Sequence, residues 1–83
     1  MSGASSRKSP KILKARVRFG NKIKELIRAS YPSIENFALS HGLNKAMIQS
    51  IIQGKSDPQL STLMRLADAL DVSLVRLVED VYP

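Results

Sequence analysis

Five helices around one core are expected from three features of this chain of 83 residues. Its apolar residues, 43% of the total, are mainly Leu, Ile, Val and Ala, and aromatics make up only 5%, a mixture that favours helix over sheet. These apolar residues recur at helical spacing, and Pro, Gly, Asn and Ser fall between the periodic stretches, where helices begin and end. A chain this short buries only about 60–70% of the surface its unfolded form exposes, so a single core serves everything. There is no cysteine, which leaves neither a disulfide framework nor a thiolate metal site.

The opening residues, MSGASSRKSP, are small and polar with nothing to bury. They are expected to form a disordered basic arm, 1–10, ahead of a folded domain, 11–83. In the next stretch Leu13, Ala15, Val17 and Phe19 alternate as in a strand, whereas Ile12, Ala15, Phe19 and Ile23 fit a helical stripe; helix is preferred, starting between Ser9 and Arg18. Phe19, Ile23, Leu26 and Ile27 continue that face, which stops before Tyr31-Pro32 because a residue preceding proline avoids helical geometry. Ser33 offers a capping hydroxyl to a short helix from Ile34 to His41, with Phe37 and Ala38 inward and Gly42 closing it. Asn44 caps another, Lys45 to Gln53, with Ile48, Ile51 and Ile52 as its apolar positions and Gly54 as its stop. Leu60, Leu63, Leu66, Ala67 and Leu70 define a fourth helix with Pro58 near its start and Gln59 or Ser61 in its first turn, and Leu74, Leu77, Val78 and Val81 a fifth after a break at Asp71 to Ser73.

Charge is distributed unevenly: of the net +6, residues 1–24 contribute eight positive side chains and no acid, while the remainder is slightly acidic. Such a basic arm and first helix suit a polyanionic partner, although basic termini are also commonly just solvated. No apolar run approaches the roughly 20 residues needed to span a bilayer, and the expectation is a soluble protein acting in the cytoplasm.

The spacing around Gly42 makes a specific demand. A tight turn between two crossing helices needs a small residue in the first helix, met by Ala38, and freedom for positive φ at the corner, met by Gly42. Phe37, Leu43, Ile48 and Ile51 then face inward, leaving Asn44, Lys45, Ala46, Gln49 and Ser50 outward with the hydrogen-bonding groups that read base edges. The stretch from Ser33 to Leu74, with its Gly-x-x-x-Pro loop at Gly54 to Pro58 and the LxxLAxALxVS run ending at Ser73, resembles the Cro/C1-type (XRE) helix-turn-helix family of bacterial and phage regulators. With the first helix included, the resemblance covers roughly 17–78.

This resemblance implies an all-α, five-helix lambda-repressor-like domain that binds double-stranded DNA as a transcriptional regulator. It implies base reading by Asn44, Lys45, Ala46, Gln49 and Ser50, and phosphate contacts from Arg16, Arg18, Lys22, Ser33, Asn36 and Lys55. One unit reads too few base pairs to find a site in a genome, so a homodimer is expected, joined through Val75, Val78, Val81 and Tyr82 of the last segment. Four positions depart from the family. Ile27 and Ile52 stand where an Arg–Glu ion pair is common, Ile34 replaces a common Gln at a phosphate contact, and Asp71 replaces a Gly at a helix end.

Against these readings stand blander ones. Lys45, Gln49 and Ser50 each fit an ordinary exposed helix face; His41, the single histidine, fits a partly buried structural role; and Met47 and Met64 fit packing. No paired carboxylates, His–Ser or Cys–His constellation or Gly-rich phosphate loop is present, so neither catalysis nor a metal or cofactor is expected. The competing functional class is an antitoxin or adaptor that uses the same fold for protein–protein interaction.

Overall fold

The structure, a computed structural model, describes residues 9–82, and all regular secondary structure among them is helical. In chain order the helices are α1 (Pro10–Ser30), α2 (Ile34–His41), α3 (Lys45–Ile52), α4 (Leu60–Leu70) and α5 (Leu74–Val78). Residues 1–8 of the expected arm lie outside the described residues. Pro10 belongs to α1, because its fixed φ and missing N–H suit a first helical turn. Thus the strand-like alternation of Leu13, Ala15, Val17 and Phe19 gives way to the helical stripe, which runs unbroken into Ile23 and Ile27.

Each helix ends where the local chemistry requires. Tyr31, extended before Pro32, donates its N–H to the Ile27 carbonyl at 2.8 Å and closes α1. Ser33 Oγ accepts from the Asn36 N–H, Asn44 Oδ1 from the Met47 N–H and Ser73 Oγ from the Arg76 N–H, each at 3.0 Å, so α2, α3 and α5 all start on a side-chain cap. Gly42 turns left-handed at φ 63° after α2, and the Leu43 N–H reaches back to the Ala38 carbonyl at 2.8 Å. Asp71 adopts the same conformation at φ 58° after α4, doing at some cost what glycine does freely. Gln53, expected as the last residue of α3, is instead its C-cap.

The core contains no buried polar side chain among the described residues and takes residues from all five helices. Phe19, Ile23 and Ile27 of α1, Phe37 and Ala38 of α2, Ile48 and Ile51 of α3, Leu66 and Ala67 of α4, and Leu77 of α5 are buried. Leu60 and Met64, assigned inward roles from the sequence, are more than half exposed. They lie four residues apart on the flank of α4, beside the buried Leu66 and Ala67 and the half-buried Leu63.

Where α1 meets α3, a backbone contact sets the separation. A Cβ placed on Gly20 would lie 2.5 Å from the carbonyl oxygens of both Ile51 and Ile52, so only glycine lets the first helix approach the end of α3 this closely. The long basic helix thereby becomes a support for the turn between α2 and α3.

Candidate nucleic-acid interface

Helices α2 and α3, joined by Gly42, Leu43 and Asn44, form a unit with one apolar and one open side. Phe37, Ala38, Ile48 and Ile51 are buried, and Leu43, Met47 and Ile52 pack partly against the same core. This anchoring leaves Asn44, Lys45, Ala46 and Gln49 exposed at the start and along the outer side of α3, with Ser50 half-buried at their edge. The five expected base-reading residues thus come together on one surface. Asn44 has one constraint: its Oδ1 is occupied by the Met47 N–H, so its amide nitrogen is left to donate to a ligand.

An aromatic cluster holds the corner from behind. Tyr31, at the end of α1, meets Phe37 edge-on with ring centres 5.0 Å apart, and its hydroxyl lies 2.6 Å from His41 Nε2. The His41 ring also lies against Phe37 at 5.2 Å between centres. His41 is therefore exposed, not partly buried as its sequence position suggests, and ties the C-terminal end of α2 to that of α1.

The expected phosphate contacts separate into two groups. Ser33, Asn36 and Lys55 are exposed near the ends of α2 and α3, and the Ser33 hydroxyl oxygen already accepts the Asn36 N–H. Arg18 and Lys22 instead turn toward the C-terminal segment, where Lys22 Nζ donates to the Glu79 carbonyl at 2.7 Å and Arg18 to the Val81 carbonyl at 3.4 Å. The physical reason is that carbonyls past the end of a short helix lack intrahelical partners and attract cations. Arg16 lines an open groove of about 350 Å³ with Phe19, Asp57, Pro58, Val81 and Tyr82. Nothing in the sequence flags these contacts, which join residues 57 and 63 positions apart.

At the same end of the molecule the four residues expected to join two subunits are spread over α5 and the chain after it. Val75 is 70% exposed, Tyr82 56% and Val78 39%, while Val81 is half-buried against the core. Among the described residues no helix is long and apolar enough to cross a membrane, and no cluster of His, Asp and Glu is arranged to hold a metal ion.

Comparison with known proteins agrees with this fold. A family model described as helix-turn-helix matches residues 23–77, from the middle of α1 to Leu77 of α5. The crystal structure of the restriction-modification controller protein C.AhdI from Aeromonas hydrophila is similar at 31% identity and a TM-score of 0.68. The similarity covers 75% of this chain and 94% of that one. No curated protein matches.

Proposed function

Because this chain belongs to the helix-turn-helix family of the Cro/C1 (XRE) type, whose members are DNA-binding regulators, we propose that it binds specific duplex sequences by laying α3 in the major groove. The observation that carries this reading is the exposed polar surface of Lys45, Ala46 and Gln49 on a helix whose other side is locked into the core by Ile48 and Ile51. Asn44, Lys45, Ala46, Gln49 and Ser50 meet base edges, because the N-terminal part of a recognition helix enters the groove deepest. Ser33, Asn36 and Lys55 contact the flanking phosphates. Arg16, Arg18 and Lys22 act through the positive field of α1, which draws the protein to DNA without reading sequence. The likeness to C.AhdI over nearly all of that chain supports a narrower role as a restriction-modification controller protein.

Gln49 presents an amide that matches the N6 and N7 positions of adenine. After selection of bound sequences from random duplexes, Gln49→Ala is expected to lose about 1–3 kcal/mol on the selected site and to relax the preference at one base pair. Unchanged affinity and preference in a binding titration would remove Gln49 from the reading.

The functional unit is a homodimer whose halves bind two half-sites about one helical turn apart. The exposed apolar Val75, Val78 and Tyr82 at one end of the molecule, with Val81 beside them, support an interface there. Val75→Asp is expected to shift the protein toward monomer in analytical ultracentrifugation and to weaken binding to a palindromic site by about tenfold or more, since a buried unpaired charge costs several kcal/mol. A dimer that withstands this substitution would place the interface elsewhere.

A further inference from the structure

Between Ser33 and Gln53, the span of α2, the turn and α3, the only Asp, Glu, Lys or Arg residues are Glu35 and Lys45. The fold brings them together, with Lys45 Nζ 3.3 Å from Glu35 Oε1 across the turn. Glu35 is well placed in the first turn of α2, where the helix dipole favours an anion. Lys45 opens α3, where the same dipole disfavours a cation. The two side chains remain 64% and 48% exposed, so the pair adds little to stability, as surface ion pairs do.

We infer that Glu35 is a positioning residue for specificity: by pinning the Lys45 ammonium at the start of α3, it directs Lys45 to a guanine edge and withholds it from phosphates. The inference rests on the proposed reading role of α3. An ammonium has three donors; one on Glu35 leaves the others for guanine O6 and N7. A lysine free of this tether sweeps on a flexible four-carbon stem and can neutralise a phosphate on DNA of any sequence. The pair also makes the reading unit electrically neutral, so bringing it onto random DNA releases few counterions. Glu35 therefore acts mainly against the wrong sequences, which is how discrimination rises without added contacts to the right one.

The test compares the wild-type full chain, Glu35→Gln, Lys45→Ala and the double variant on two duplexes, the site selected by the wild type and a random sequence, across a range of salt. Glu35→Gln is expected to bind the random duplex about threefold to fivefold more tightly, the scale of a surface ion pair. Its slope of log affinity against log salt on that duplex should steepen by about one unit, for the one cation released. The preference of the selected site over random sequence falls, and guanine selection at one position relaxes. In the Lys45→Ala background the same substitution leaves that preference ratio unchanged, because Glu35 then has nothing to position.

An unchanged ratio in the single variant, or equal tightening on both duplexes, would overturn the inference and reduce Glu35 to a repulsive surface charge. An equal fall in the ratio with and without Lys45 would overturn it as well. Gln49→Ala, measured beside them, separates the two levels. If it relaxes base preference while Glu35→Gln changes nothing, only the role of Glu35 fails; if the wild type selects no sequence, the reading of α3 fails and this inference with it.

Discussion

Gly20→Ala is expected to destabilise the protein by about 3 kcal/mol or more, the upper end of overpacking costs, although alanine in a helix interior is ordinarily better than glycine by about 0.5–1 kcal/mol. The sign reverses because the new methyl would sit 2.5 Å from two backbone carbonyl oxygens, Ile51 and Ile52, and backbone cannot rotate away as a side-chain tip can. Relief requires α1 and α3 to separate, opening the core around Ile23, Ile48 and Ile51. For a domain of this size the loss corresponds to a fall of roughly 12 °C or more in the thermal midpoint. Gly42→Ala is the natural comparison: its φ of 63° carries backbone strain, but nothing lies within 4 Å of the added carbon. It is expected to cost about 1–2 kcal/mol, the price of left-handed geometry alone. Circular dichroism melts of both variants decide the matter, and a Gly20→Ala protein as stable as wild type would show that the helices approach less closely than described.

Ile27→Arg is expected to be more damaging still. Ile27 is fully buried in a core without polar partners, and an uncompensated buried charge costs about 3–5 kcal/mol, most of the stability of a small domain. Ile52→Glu should cost less, because Ile52 is only half-buried at the margin of that core. Members of this family commonly carry an Arg–Glu pair at these two places, and combining the substitutions is expected to recover part of the loss through a coupling of about 1–3 kcal/mol. Urea titration of the four proteins in the cycle measures it. Strictly additive losses would show that the two positions do not meet.

Much of the architecture is legible from local signals. A capping side chain, a proline after an extended residue and a glycine at a left-handed corner act within four or five residues, and so Ser33, Asn44, Pro32 and Gly42 mark helix ends before any tertiary contact is considered. Helical periodicity is equally local, and it places Phe37, Ile48, Ile51 and Leu66 inward correctly. The outward group on α3 follows from the same periodicity, as the complement of its buried face. Periodicity fails at the margins of a stripe: Leu60 and Met64 match the spacing, but α4 needs only part of its apolar arc to meet the core.

What the sequence by itself determined, then, is the set of five helices, the caps at Ser33 and Asn44, the corner at Gly42 and the polar face of α3, because each depends on neighbours along the chain. Only the tertiary structure decided which distant groups meet. It turned Arg18 and Lys22 toward the carbonyls of Val81 and Glu79, brought the Tyr31 hydroxyl to His41 and set Glu35 against Lys45. It also made Gly20 the point where two backbones touch. These contacts depend on how the helices cross and on how closely they approach, and the core sets both through packing shared by all five helices, which no short window of residues contains.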